Sequence, residues 1–388
     1  MPIVNLPTDD GSIAPYETGV PRDFPTQPNR PFNRVALAAA HVVADARADL
    51  DPWVDTAIDW DRTIAFRRHL WSLGLGVAEA MDTAQRGMGM NWETSQELIR
   101  RSVDASKDMP GAVVASGAGT DHLAVTSGVT LDDVIAAYEE QCEAVEAMGG
   151  RIILMASRAL AACARSPEDY ARVYDRVLSQ IAEPVIIHWL GEMFDPALEG
   201  YWGDGDHWNA METCLSMLES NADKIDGIKI SLLDKDKEIA LRRRLPDGVR
   251  MYTGDDFSFA ELIAGDDQGH SDALLGIFDA IAPAASAALA ALAGNRPGEF
   301  HDILAPTVPL SRHIFKAPTR FYKTGVVFMA YLNGHQDHFV MVGGQQSARS
   351  ILHLSELFRL ADKAGLLRDP DLASARMKTA LGFHGMEG

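Results

Sequence analysis

The sequence predicts a (β/α)8 TIM barrel, and three observations support this fold class. Eight short apolar runs recur at an average spacing of roughly 34 residues, with helical segments between them. Most runs are continuously apolar, which is typical of parallel strands that are buried on both faces. Residues 34–295 also suit the length of about 250 residues that such a barrel usually has. An open doubly wound sheet is the competing fold, but no glycine fingerprint follows the first run.

The eight predicted strands follow one another in order along the chain. Helical spacing of apolar residues fills the intervals between them, for example at residues 91–106 and 166–182. Asn91 and Ser166 are residue types that cap helix N-termini, and acidic residues follow each of them in the first turn. The predicted strands are residues 34–43, 73–81, 111–119, 150–157, 183–190, 225–231, 249–256 and 272–280.

Further segments lie on both sides of the predicted barrel. Residues 1–33 contain seven prolines and little periodicity, so they predict an extended arm that forms either a subunit contact or a plain tail. Residues 296–388 predict a C-terminal helical extension that packs on the barrel, with an amphipathic segment at 353–367. The predicted organisation is therefore an N-terminal arm, a catalytic barrel at 34–295 and a C-terminal extension.

Composition and charge narrow the class of protein. Apolar residues make up 47% of the chain, which is enough for a full hydrophobic core. The formal net charge of −20 argues against a nucleic-acid partner, which requires a basic surface. The longest apolar stretch, roughly residues 279–294, is too short and too polar to cross a membrane. Three scattered cysteines and no visible secretion signal predict a cytoplasmic protein that binds a small molecule.

Lys229 is the first candidate for chemistry, because it lies in the apolar run Ile228-Lys229-Ile230 near the end of the sixth predicted strand. Reactive groups in such barrels lie at the carboxyl ends of the strands. A buried amine loses its proton more easily and becomes a nucleophile toward carbonyl compounds, so Schiff-base chemistry is the expected use. The alternatives are a lysine paired with a carboxylate or one that reaches the solvent at a strand end.

The second half of the barrel resembles the dihydrodipicolinate synthase / N-acetylneuraminate lyase family. The resemblance is carried by "DGIKIS" (226–231), "MYTGDDF" (251–257) and "ALLGIFDAIAP" (273–283), and it extends over roughly residues 34–300. In that family a lysine of the sixth strand forms the Schiff base, and Lys229 stands at this position. The resemblance implies a class I aldolase or lyase for a small keto acid or keto sugar derivative, with no cofactor and usually a homo-oligomer, either a dimer or a tetramer.

The first half resembles the family more loosely, through "GLGVAEAMDTAQRGMGMNWET" (74–94). Thr83 takes the place of a threonine that helps to relay protons, whereas Ala84 replaces the threonine that holds the substrate carboxylate. His188 stands where the family has a tyrosine in its fifth strand, and imidazole can also transfer protons at neutral pH. The resemblance therefore implies Lys229, His188 and Thr83 as catalytic residues of a divergent branch.

Substrate binding has to differ from the family pattern. Arg86 and Arg158 are candidates for a two-pronged contact with an anionic substrate, although a surface salt bridge is the commoner use of such an arginine. Asp255, at the end of the seventh predicted strand, is a third candidate for substrate binding.

Two other functions remain open from the sequence. A metal-dependent sugar isomerase or aldolase would use polar groups at strand ends, although no metal-binding motif is present. A barrel without catalysis, which only binds a ligand, would explain the missing threonine and tyrosine. The residues considered for the metal alternative are His41, Glu79, Asp82 and His188.

Overall fold

The computed structural model describes residues 1–25 and 31–386, and its centre is a closed barrel of eight parallel strands. Each strand pairs with its neighbours in chain order, and the last strand closes onto the first. All eight predicted strands are present, which confirms the predicted fold class. The barrel strands are β3 (Ala36–Ala39), β4 (Gly76–Glu79), β5 (Val114–Ala118), β6 (Arg151–Leu154), β7 (Val185–Leu190), β8 (Ile225–Ser231), β9 (Arg250–Thr253) and β10 (Asp272–Leu275).

Helices surround the barrel and continue beyond it. Asn91 caps its helix as predicted, since its side chain accepts a hydrogen bond from the Thr94 N–H. The helices within the barrel region are α1 (Trp60–Ser72), α2 (Trp92–Ser106), α3 (Leu131–Ala147), α4 (Arg158–Cys163), α5 (Pro167–Leu178), α6 (His207–Ser220), α7 (Lys235–Arg242), α8 (Phe259–Ala264), α9 (Ile277–Ala280) and α10 (Ala282–Ala293). The C-terminal extension contains α11 (Pro297–Leu304), α12 (Val308–Ile314), α13 (Tyr322–Leu332), α14 (Ile351–Lys363) and α15 (Pro370–Phe383).

Two segments differ from the sequence prediction. The eighth predicted strand ends at Leu275, and its second half forms the short helix α9. A continuous apolar run does not distinguish a buried strand from a buried helix, which explains this difference. The N-terminal arm contains an antiparallel hairpin of β1 (Ile3–Pro7) and β2 (Ile13–Glu17).

The hairpin packs against α14 and α15 of the extension. The Tyr16 hydroxyl donates a hydrogen bond of 2.7 Å to Asp362 Oδ2, and the Arg359 guanidinium donates one of 2.8 Å to the Pro7 carbonyl. The N-terminal hairpin and the C-terminal extension are therefore joined by hydrogen bonds. None of the described helices is long and apolar enough to cross a membrane.

The apolar core has two layers, as the alternation of strand side chains requires. Ile228 and Ile230 of β8 belong to the large outer core between the strands and the helices. A smaller core fills the inside of the barrel; its buried members are Leu37, Ala39, Ala78, Met81, Ala115, Ile153, Ile186, Tyr252 and Leu274.

Candidate active site

Lys229 projects into the barrel. Its neighbours Ile228 and Ile230 face the helices, and successive strand side chains point to opposite faces. A Cβ atom built on Gly254 of the next strand segment would lie 2.8 Å from Lys229 Cε, so the aliphatic chain passes directly over that glycine. The amine therefore sits in the interior, at the barrel mouth, which we define as the carboxyl ends of the barrel strands.

The surroundings of Lys229 make its amine lose a proton more easily than an exposed lysine does. The residue is 8% exposed, and among the described residues no carboxylate lies within ion-pairing distance of it. Burial lowers the pKa of the Lys229 amine below its ordinary value, while the negative charges of Asp256 and Asp82 oppose this shift. The neutral form of such an amine is a nucleophile, and the two carboxylates stabilise its positively charged form.

Of the two aspartates after β9, Asp256 is the one whose charge acts on Lys229, whereas Asp255 is the one predicted to bind substrate. Asp256 accepts a hydrogen bond of 2.9 Å from the Ile277 N–H, and burial raises the pKa of its carboxyl group. Asp255 instead accepts hydrogen bonds of 2.8 and 3.0 Å from the N–H groups of Phe257 and Ser258. It caps the turn that follows β9, and the structure does not bring it to Lys229.

His188 lies beside Lys229, since the two residues are register partners on β7 and β8. Its Nε2 lies 3.3 Å from the Ser231 hydroxyl, and its Nδ1 has no hydrogen-bond partner among the described residues. Burial, together with the positive charge of Lys229, lowers the pKa of His188 well below its ordinary value. The imidazole is therefore neutral at physiological pH, with one nitrogen free toward the interior.

Thr83 lies at the barrel mouth in a short 3-10 turn, Asp82–Ala84, that follows β4. Its hydroxyl forms a hydrogen bond of 2.7 Å with the Tyr322 hydroxyl, and both residues are buried. The next residue of α13, Lys323, forms an ion pair of 2.8 Å with Asp82. The C-terminal extension thus contributes two side chains to the barrel mouth.

Tyr322 is the residue that sequence reasoning missed. It lies 239 positions from Thr83, in a segment where no family motif was found. In the sequence, His188 occupies the position of the family's tyrosine, and no motif points to a second phenol. Nothing in the sequence around Tyr322 indicated where that phenol is.

A cavity of about 270 Å³ opens at the barrel mouth. Lys229 does not line it, but Asp82, whose charge acts on the Lys229 amine, does. The remaining lining comes mainly from segments that follow β4 to β7, and it includes both predicted arginines, Arg86 and Arg158.

The two arginines differ in their freedom to bind a ligand. The Arg86 side chain is only 1% exposed, and its guanidinium donates to Asp121, to the Gly117 carbonyl and to Gln141. The Arg158 side chain is 43% exposed and donates from Nε to Asp195 at 2.5 Å. Among the described residues its two terminal nitrogens have no acceptor, so Arg158 is the arginine that is available to an anion.

The residues of the metal alternative do not converge. The carboxylate of Glu79 faces away from the interior and forms a bidentate ion pair with Arg67, at 2.8 and 2.9 Å. His41 Nδ1 lies 2.7 Å from Asp279 Oδ2 in a separate buried pair. Across residues 1–25 and 31–386, no group of three or more His, Cys, Asp or Glu side chains is arranged to hold a metal ion.

The closed barrel with its helical extension defines a protein of dihydrodipicolinate synthase-like fold. Similar solved structures include dihydrodipicolinate synthase from Aquifex aeolicus, with a TM-score of 0.64 and 11% identity over 86% of this chain and 99% of that chain. The chloride-inhibited enzyme from Acinetobacter baumannii, complexed with pyruvate, has a TM-score of 0.63 and 16% identity over 86% and 99% of the two chains. YagE, a prophage protein of the dihydrodipicolinic acid synthase family from E. coli K12, in complex with pyruvate, has a TM-score of 0.63 and 13% identity over 90% of this chain and 98% of that chain.

The chain itself belongs to the family described as Protein of unknown function (DUF993), whose model matches residues 4–386. No curated protein sequence matches it.

Proposed function

We propose that this protein is a class I lyase or aldolase, a divergent branch of the dihydrodipicolinate synthase-like enzymes, in which Lys229 forms a Schiff base with a small keto acid. The observation that carries the proposal is the position of the Lys229 amine. It lies inside the barrel at its mouth, without an ion pair among the described residues and with a lowered pKa. A purely structural lysine in this interior would be expected to have a paired carboxylate.

Schiff-base formation starts from the neutral form of the Lys229 amine. The nitrogen attacks the keto carbon, a C–N bond forms, and one proton passes from nitrogen to oxygen to give a carbinolamine. Loss of water then breaks the C–O bond while the nitrogen lone pair forms the C=N bond. The imine draws electrons from the neighbouring C–C or C–H bond, so that bond can break to an enamine or form from one. No oxidation or reduction is involved.

We assign proton transfer to His188, which lies beside Lys229 as a neutral imidazole. Thr83 assists from the opposite side of the barrel mouth, where its hydroxyl belongs to a hydrogen-bonded pair.

The available arginine narrows the substrate class. Arg158 offers its terminal nitrogens at a cavity of about 270 Å³, next to Asp82. A guanidinium with free nitrogens binds a carboxylate or phosphate by two parallel hydrogen bonds. We therefore assign the substrate an anionic group at the end remote from the keto carbon, as in a keto dicarboxylic acid or an acidic keto sugar.

Borohydride trapping tests the function directly. The protein is incubated with pyruvate, 2-oxobutyrate, 2-oxoglutarate or a keto sugar acid, reduced with borohydride and analysed by intact mass and peptide mapping. The expected result is one covalent adduct, located on Lys229. Lys229→Met should abolish the adduct, whereas the matched variant Lys235→Met, which removes an exposed lysine paired with Glu261, should retain it.

Other outcomes have a defined meaning. An adduct on a different lysine, or none with any keto compound, would contradict the Schiff-base function. If no adduct forms but a keto acid raises the melting temperature, a barrel that only binds its ligand becomes the better description. The predicted dimer or tetramer is measured separately, by light scattering of the purified protein.

A further inference from the structure

We propose that Tyr322, supplied by the C-terminal extension, is a catalytic acid and base at the barrel mouth and forms a proton-transfer pair with Thr83. The inference rests on the proposed function, because it concerns the proton steps of the Schiff base on Lys229. It adds a residue outside the predicted catalytic barrel to the machinery of the reaction.

The position of the phenol is fixed from several sides. Its oxygen lies 2.7 Å from Thr83 Oγ1, and its ring stacks on Phe315 with the ring centroids 4.3 Å apart. A Cβ atom built on Gly276, directly after β10, would lie 3.1 Å from the Tyr322 ring and 3.4 Å from Thr83 Oγ1. The glycine thus lets the ring enter the barrel mouth, where the hydroxyl meets the turn after β4.

The surroundings keep this phenol protonated in the resting protein. Burial raises the pKa of Tyr322 well above its ordinary value, and the charges of Asp82 and Asp256 act in the same direction. These are the same two carboxylates whose charges act on Lys229, so the phenol and the amine share one electrostatic environment. His188 carries little imidazolium at neutral pH, because its pKa is low, whereas the phenol carries its proton throughout that range.

The proton steps balance with one phenol. As the carbinolamine loses water, Tyr322 gives its proton to the departing hydroxyl group, which leaves as water while the nitrogen lone pair forms the C=N bond. The phenolate, which accepts a hydrogen bond from the Thr83 hydroxyl, then takes a proton from the carbon next to the imine. The C–H electrons form the C=C bond of the enamine, the π electrons of the protonated C=N bond return to nitrogen, and the neutral phenol is regenerated.

The test measures the base step at carbon separately from imine formation, in which Tyr322 is the acid. Pyruvate or 2-oxobutyrate, whichever gives the larger adduct with the unmodified protein, is incubated in D2O, and deuterium incorporation at C3 is followed by NMR. Tyr322→Phe should still give the borohydride adduct on Lys229 after long incubation, but its C3 exchange should slow by about a hundredfold or more. Tyr331→Phe, a buried phenol of the same helix, should leave both measurements unchanged.

A second pair of variants protects the test against misfolding. Thr83→Val removes the hydroxyl beside Tyr322 and should slow exchange, whereas Thr83→Ser, which keeps a hydroxyl there, should exchange faster than Thr83→Val. The proposal is overturned if Tyr322→Phe exchanges within about twofold of the unmodified protein. It is also overturned if Tyr322→Phe forms the adduct at the initial rate of the unmodified protein, since the phenol would then not be the acid of imine formation. If the unmodified protein forms no adduct at all, it is the Schiff-base function that fails.

Discussion

Asp255 and Asp256 are adjacent in the chain, yet their carboxylates have different neighbours. Asp256 faces the interior, where its charge acts on Lys229, and Asp255 caps the turn after β9. This difference makes the two aspartates a natural pair of variant and control.

Asp256→Asn should lower the pKa of Lys229 further. The substitution removes a negative charge that favours the ammonium form, while the amide oxygen can still accept the hydrogen bond from the Ile277 N–H. In the initial rate of adduct formation with borohydride, the midpoint of the rise with pH should move to lower pH by about one unit or more. Asp255→Asn should leave the midpoint in place. Equal shifts in both variants would contradict the assignment of Asp256.

Gly254→Ala should slow adduct formation. The added Cβ atom would overlap the Ser231 hydroxyl and would lie 2.8 Å from Lys229 Cε and 2.7 Å from the Ile230 carbonyl oxygen, all closer than such contacts occur. Since the backbone oxygen cannot move freely, the lysine chain has to leave its present path. Adduct formation should fall by about tenfold or more. Gly298→Ala, at a site with open space around the new atom, is the control and should behave like the unmodified protein.

Arg158→Gln should weaken binding of a dianionic keto acid more than that of pyruvate. Loss of a charge-assisted contact of about 1.5–3 kcal/mol corresponds to a rise of about tenfold or more in the concentration needed for half-maximal adduct with 2-oxoglutarate. Arg86→Gln should act differently, because it breaks a buried network with Asp121 and Gln141. Its expected effect is a lower melting temperature, from a loss of about 3–5 kcal/mol. If Arg158→Gln affected both keto acids equally, the remote anionic group would be the wrong substrate feature.

Glu238→Gln should make stability less dependent on pH. Glu238 is buried between α7 and the barrel, where it accepts hydrogen bonds from the hydroxyls of Thr253 and Ser271, and burial raises its pKa from 4.5 to about 8. The folded state therefore holds this proton more tightly than the unfolded state. The resulting stability is complete below pH 4.5 and is lost as the pH rises through 8.

Urea unfolding at about pH 5.5 and pH 8.5 measures this effect. Between these values the free energy of unfolding of the unmodified protein should fall relative to that of Glu238→Gln by an amount on the order of 2–4 kcal/mol. Glu261→Gln, which changes an exposed carboxylate, should show no such difference. Parallel behaviour of Glu238→Gln and the unmodified protein would show that Glu238 is ionised in both states.

The barrel was predictable from sequence because its strands are buried on both faces. Continuous apolar runs such as residues 183–190 indicate parallel strands whatever their neighbours are, and the isoleucines on either side of Lys229 indicate that this strand is packed against helices. The choice between Asp255 and Asp256 was not predictable in the same way. A shift of one residue at the end of a strand exchanges the two faces, and composition does not fix that register.

The pairing of Tyr322 with Thr83 lay further beyond sequence reasoning. It joins a helix of the extension to a turn of the barrel across 239 positions, and neither local propensity nor periodicity carries information about such a contact. The hydrogen bonds of Arg86 were equally unpredictable, because Asp121 and Gln141 come close to it only in the folded chain. Long-range polar contacts of this kind are set by tertiary packing.

The N-terminal hairpin gives the chain an unusual dependence between its ends. The hairpin is hydrogen-bonded to α14 through Tyr16 and Asp362, and the same extension carries Tyr322 and Lys323, which contact Thr83 and Asp82 at the barrel mouth. Removal of the N-terminal hairpin would therefore loosen the C-terminal extension. The hairpin and the extension thus support the barrel mouth together, so shortening either one should impair the proposed Schiff-base reaction before it unfolds the barrel.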